Sequence, residues 1–342
     1  MIRSVNPARR RVGRWIGPAL VLLTLASILC AVLLGPARVP LRSAVGALFG
    51  VESFLDSPVH RTIVRQLRLP RALLGLLVGA SLAVSGVAMQ GLFRNPLASP
   101  YVLGIASGAS TGAAFIILFS ASALLLPFGA FVGSAAAVSI VYLLARGRDR
   151  RTSIFTLILA GVAVGAFFAA ITSFLIYLGS DGEKLSDVLF WMMGGLGRAR
   201  WPSLALLAAV VLPGIGAVFF FARDLNALSL GEEGARHVGV NPDALYRWLL
   251  LLTTLLTAAA VAIAGTIGFI GLVVPHVMRL LVGPDHRRLL PFAALAGGCF
   301  LVLSDIAARL LLAPAELPVG VITAFLGAPF FLYLLKTRGA KL

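Results

Sequence analysis

The 342-residue chain reads as an all-α polytopic membrane protein, a single domain over residues 1–342 with about ten transmembrane helices. Three observations predict this. Hydrophobic residues make up 59% of the chain, charged residues only 12%, and mean hydropathy is +0.99. A soluble domain carries about 25% charged residues, and no soluble fold of this size hides so much apolar surface. Apolar runs of roughly 20 residues, the length that crosses a bilayer, follow one another along the chain. Basic clusters between them fall mostly on one side, as the positive-inside rule requires.

In order, the runs lie near 16–34, 72–92, 102–122, 124–145, 153–178, 202–221, 245–264, 267–282, 289–312 and 318–335. The first follows Arg9, Arg10, Arg11 and Arg14, so residues 1–15 form a basic cytoplasmic tail. It is longer than a signal-peptide core and no A-x-A site follows it, so it stays as the first span. An even number of spans returns the C-terminus to the cytoplasm, in accord with the basic "KTRGAKL" at 336–342. "RGRDRR" at 146–151, and Arg287 with Arg288, also fall inside. The glycines, 36 of them, suit close packing of membrane helices. "GASLAVSG" at 79–86 and "AVAIAGTIG" at 260–268 share a texture that hints at a duplicated half.

The loop between the first two spans breaks the charge rule. It faces outside, yet carries Arg38, Arg42, His60, Arg61, Arg65, Arg68 and Arg71; Arg198 and Arg200 also map outside. Two readings stand: helix-end arginines reaching lipid phosphates, or an acidic partner steered to that face by charge.

Several chemistries are excluded. None of the three lysines follows a glycine, so the chain has no P-loop for ATP. The four histidines lack metal-ligand spacing, and no cofactor or metal is expected on this chain. Cys30 and Cys299 lie far apart in apolar runs and read as buried space-fillers. Asp305 and Arg309 stand four apart on one helix face and should pair. One self-neutralising pair is not a proton relay, which weakens an ion-coupled carrier. An enzyme would need converging acid and base groups that the spans do not offer.

One segment is polar: "RDLNALSLGEEGARHVGVNPD" at 223–243, placed in the cytoplasm between the sixth and seventh spans. Gly231 and Gly239 punctuate two short helices, and Glu232 with Arg236 forms an i,i+4 pair. Nothing encloses a catalytic pocket there. A plain solvated loop and an amphipathic handle for a soluble partner both fit.

Four stretches together resemble one family: "RLPRALLGLLVGASLAVSGVAMQGLFRNPLASPYVLGIASGA" at 68–109, "LGEEGARHVGV" at 230–240, "GFIGLVVPHVMRLLVGPDHRRLLP" at 268–291 and "ELPVGVITAFLGAPFFLYLL" at 316–335. The chain resembles the FecCD-type permease subunits of type II ABC importers for ferric siderophores, haem and cobalamin. The resemblance implies a homodimer in the bacterial inner membrane, both termini cytoplasmic, moving a metal chelate inward by alternating access. It implies two separate ATPase subunits that hold ATP and Mg, a periplasmic binding protein, and no nucleic acid. The coupling segment held by the ATPase then matches Leu230, Gly231, Glu232, Ala235, Arg236 and Gly239. Arg68, Arg71 and Arg309 match binding-protein docking positions, and Asn95 and Leu97 of "NPL" match a cytoplasmic gate. The fifth helix, with Gly161 and Gly165, should line the pathway. A second gate strand falls near 152–156. The competing function is an ion-coupled secondary transporter working without an ATPase.

Overall fold

The computed structural model describes residues 7–120, 122–146, 154–179 and 182–338, and they are helical over most of each expected span. The helices are α1 (Pro7–Leu33), α2 (Leu41–Phe49), α3 (Pro58–Thr62), α4 (Leu69–Leu92), α5 (Ile105–Phe119), α6 (Leu126–Ala145), α7 (Ile154–Leu178) and α8 (Gly182–Met192). They continue as α9 (Trp201–Phe220), α10 (Ala222–Leu228), α11 (Glu232–His237), α12 (Pro242–Ala264), α13 (Ile270–Val282), α14 (His286–Leu310) and α15 (Val319–Arg338). Among these, seven are long and apolar enough to cross a membrane, and α5, α13 and α15 are shorter apolar helices, giving the expected ten. Residues 1–6, most of 146–151 and the end of the tail beyond Arg338 lie outside the described residues, as does the start of the expected gate strand at 152–156.

Helix α4 is the axis of the bundle. Its sequence is apolar or small on every face, as a helix enclosed by others requires. It packs against α14, α12, α13, α9 and α1, and most of its length is buried. The closest approach is to α14. A Cβ built on Gly79 would overlap the Gly297 carbonyl, and one on Gly297 the Gly79 carbonyl. Gly86 meets the backbone of Gly271 on α13 in the same way. Small residues at such crossings let backbones touch, which is where packing energy comes from when lipid surrounds the bundle.

Several polar groups inside the spans are satisfied within the protein. Ser81 donates to the Leu256 carbonyl at 2.8 Å, and Thr24 to the Leu20 carbonyl at 2.8 Å. The Thr111 and Thr172 hydroxyls join α5 to α7 at 2.7 Å. The span expected to start at 267 starts at Ile270. Gly265–Phe269 is not helical, and Phe269 sits in the left-handed region at φ 67°. Tyr101 donates its hydroxyl to the Ile267 carbonyl at 3.0 Å, and the Gly195 amide donates to the Ala264 carbonyl at 2.8 Å. Unwound backbone at this depth survives because protein covers and bonds it. Cys299 is buried, as a space-filler should be, but Cys30 is exposed on α1, which corrects that part of the expectation.

Replacing Gly79 by Val should lower thermal stability in detergent by about 1–3 kcal/mol or more, the cost of overpacking a tight contact. Gly216, with nothing within 4 Å of a built Cβ, is the control. Its change to Ala should be neutral or stabilising by about 0.5–1 kcal/mol. Equal effects at the two sites would refute the crossing as the tight point.

Candidate functional site

The polar segment forms two short helices with a buried root and an exposed tip. Leu225, Leu228 and Ala235 are fully buried and anchor it, while Leu230 and Val238 are 70% and 61% exposed. Gly231 and Gly239, at φ 99° and 85°, bound the six-residue α11. Both lie in the left-handed region, where a side chain would be strained. Glu233 and His237 are exposed. The expected Glu232–Arg236 pair is not the one formed. Arg236 pairs with Asp243 at 2.9 Å, and Glu232 accepts the Tyr246 hydroxyl at 3.1 Å. Both partners lie in the first turns of α12, so the two side chains tie α11 down onto that helix instead of bracing each other.

Asn226 on α10 meets the turn before α14. Its amide donates to Asp285 Oδ1 at 2.7 Å and its Oδ1 accepts the His286 backbone amide at 2.9 Å. The Asn226 amide, then the Arg287 backbone N–H and the charges of Arg287 and Arg288, hold the Asp285 carboxyl below its ordinary range, against partial burial. The folded pKa is depressed, so this contribution is present above the unfolded value and is lost only as pH falls through the folded one.

At the same end, α4 runs out into the "NPL" loop. Arg94 is left-handed at φ 49°. Asn95 is exposed, accepts the Leu97 amide at 2.8 Å through Oδ1, and sends its own amide to the Gln90 carbonyl at 3.1 Å. Asn95 thus stabilises the turn with its side chain, and Leu97 is half-buried on it. Gly161 and Gly165 do not face outward from α7. A Cβ on Gly161 would overlap the Val102 carbonyl, and Gly165 lies over Gly104 and Ser107. Gly161 therefore packs tightly on the turn that leads into α5, and Gly165 sits at ordinary van der Waals distance from it. The open face of α7 carries Phe155, Leu159, Val162 and Phe167.

The opposite end holds the arginines. Asp305 is 2% exposed and takes Arg309 at 3.0 Å, the expected i,i+4 pair. It also takes Arg71 at 2.8 Å, and Arg71 reaches on to Glu316 at 2.9 Å. Arg68 and Arg309 are 5% and 3% exposed. Arg68 donates to the Val32 and Leu33 carbonyls at 3.0 and 2.7 Å and to the Ala37 carbonyl. Arg309 donates to Leu34 and Ala31 at 3.0 and 3.2 Å. Together they close the carbonyl end of α1. In this arrangement both guanidinium groups are buried, and their donors are spent within the chain. Arg65 does the same for α2 through the Ala47 and Leu48 carbonyls. Neither sequence reading of the outside arginines covers this: much of the excess serves as helix C-caps. Arg198 and Arg200 remain exposed, and Arg198 shares a cleft with Arg71 and Glu316. Among the described residues, no three His, Cys, Asp or Glu side chains cluster as a metal site.

The sequence and the fold are similar to those of known proteins. The model of the FecCD transport family matches residues 22–337. The chain belongs to the FecCD transport family. Similar relatives include the cobalamin import system permease BtuC of Halobacterium salinarum, 47% identical over 82% of this chain and 75% of that one. The hemin transport system permease HmuU of Yersinia pestis is 44% identical over 93% and 96% of the two chains. The Fe(3+)-citrate import permease YfmD of Bacillus subtilis is 41% identical over 82% and 83%. Among solved structures, a metal-chelate type ABC transporter in an inward-facing conformation superposes with TM-score 0.83 at 34% identity, covering 93% of this chain and 97% of that one. This FecCD chain is therefore a multi-pass membrane permease and not itself a catalyst.

Changing Arg309 to Leu strips two α1 carbonyls of their donor and Asp305 of one partner. The expected loss is about 3–5 kcal/mol by thermal unfolding in detergent, as for other broken buried pairs. Arg61→Leu removes only an exposed pair with Glu52, at 3.2 Å, and should cost less than about 1 kcal/mol. Similar losses in both variants would show that Arg309 is not a structural cap.

Proposed function

We propose that the chain is the membrane subunit of an ATP-driven importer of a metal chelate: a ferric siderophore, haem or cobalamin. Two copies form the dimer in the cytoplasmic membrane, with both termini inside and the pathway between them. A separate ATPase chain grips α11 of each copy, and a periplasmic binding protein delivers cargo to the arginine end. The observation that carries this reading is α11 itself. Its tip exposes Leu230 and Val238 beside Glu233 and His237, while its root is locked to α10 and α12. That is the form of a short helix made to enter a groove on a soluble partner.

At the other end, the exposed Arg198 and Arg200 are the groups available to acidic side chains of a docking protein, beside Arg71, which Asp305 and Glu316 already hold. ATP binding to the motor would move α11 and shift the balance between inward-open and outward-open dimers. The shift is set by the differential affinity of the motor for the two states. The "NPL" loop with Asn95 and Leu97 acts as the inner gate.

Reconstituted vesicles holding the permease and its ATPase should take up labelled haem, cobalamin or ferric siderophore only when ATP is supplied. Uptake driven by an ion gradient without ATP would instead establish a secondary carrier. Glu232→Ala with Arg236→Ala should release α11 from α12 and lose ATPase co-purification; retained co-purification with full ATPase stimulation would count against the grip. Arg198→Glu should weaken binding-protein docking, and high salt should mimic part of the loss because exposed charges are screened within about 8–10 Å. Docking indifferent to both would remove Arg198 from that surface.

A further inference from the structure

Three parts of the chain converge beneath the coupling segment. They are α10, the turn before α14, and the last turn of α4, from which the "NPL" loop departs. A cavity of about 590 Å³ lies between them, with Gln90, Gly91, Arg94, Asn226, Asp285 and His286 on its walls. Among the described residues, Asn226 is the only side chain that bonds both Asp285 and His286 of the α14 turn. Its amide nitrogen is committed to the Asp285 carboxylate at 2.7 Å, which fixes its oxygen as the acceptor. That oxygen receives the His286 backbone N–H at 2.9 Å and lies 2.7 Å from His286 Nδ1. Nδ1 must therefore be the protonated ring nitrogen.

The far side of the imidazole touches α4. His286 is 6% exposed, and its Nε2 has no hydrogen-bond partner. It is pressed against Gly91, where a built Cβ would lie 2.6 Å from Nε2 and 3.0 Å from Leu225 Cδ2. The ring thus has a polar tie to Asn226 on one side and packs against Gly91 on the other. The Gly91 carbonyl accepts the Arg94 amide at 3.3 Å, and the Gln90 carbonyl accepts the Asn95 amide. A rotation of α10 must carry Asn226 with it, turn or drag the ring, and push on the helix end that sets the gate loop.

We propose that Asn226 is a positioning residue that carries movement of the coupling segment to the gate loop, acting through the His286 ring on Gly91. The proposal rests on the reading of the chain as an ATP-driven importer. Coupling of this kind needs a contiguous set of packed groups with a definite linkage, and each link here is a named contact. Asn226 lies outside the exposed α11 surface, so transmission is separable from grip.

The test measures cargo taken up per ATP hydrolysed, in vesicles containing the whole transporter. Asn226→Leu keeps the bulk and removes the amide. The variant should still co-purify with the ATPase and hydrolyse ATP, while uptake per ATP falls about tenfold, within the usual span of coupling energies. His286→Leu should give a similar loss, and the double variant should be no worse than either, because both act on one linkage. Gly91→Ala leaves the Asn226 bonds to the Asp285 carboxylate and the His286 backbone, and the α11 surface, in place but moves the ring, and should also lower uptake per ATP. An unchanged ratio in assembled Asn226→Leu overturns the proposal, as do additive losses in the double variant. Where Asn226→Leu does not assemble, an unchanged ratio in Gly91→Ala overturns it. Uptake by the unaltered transporter that needs no ATP would defeat the importer reading itself, a distinct result.

Discussion

Backbone contact between α4 and its neighbours is the constraint on which the rest of the structure depends. Gly79 against Gly297 and Gly86 against Gly271 leave no room for a side chain at the crossings. Helix α4 therefore has little freedom to slide, and both ends of the molecule are referenced to it. Arg71 in its first turns organises Asp305 and Glu316 at one end. Gly91 in its last turn receives His286 and Leu225 at the other and leads into Asn95. A rigid central rod that touches both surfaces is what a transport protein needs if events at one end are to be felt across the membrane.

The arginine end shows how one residue type serves two purposes. A helix that stops inside the protein leaves carbonyls without donors, and in an apolar surround that cost is several kcal/mol per group. Guanidinium groups supply several donors from one side chain. Arg68 and Arg309 meet this need for α1 and Arg65 for α2, while Arg71 remains at the rim in an ion pair with the half-exposed Glu316. Charge counted along the sequence overstates the charge offered to a partner.

The ten helices were legible because length and hydropathy decide whether a segment enters a bilayer, whatever it later packs against. The Asp305–Arg309 pair was legible because it is local. Arg71, distant in sequence, joins the same carboxylate, and no spacing rule reaches that far. Helical spacing also suggested Glu232 with Arg236, but Asp243 and Tyr246 on the next helix offered better placed partners. Gly161 and Gly165 lay on the helix expected to border the pathway, yet sequence alone did not say which face they occupied. The Asn226 contacts went unread because asparagine in a polar loop is unremarkable until the α14 turn is folded against it. The placement of "DH" at 285–286 just before an apolar helix was the one available signal.

Glycine bounds α11 on both sides, at Gly231 and Gly239, each in a conformation other residues resist. Such boundaries make the helix a cassette. Its register and its exposed face are set inside the interval, and the flanking spans need only supply Asp243 and Tyr246 to seat it. On the proposal that a motor grips α11, exchange of this interval between permeases changes which motor is recruited without disturbing what is carried, so motor choice and cargo choice are free to evolve apart.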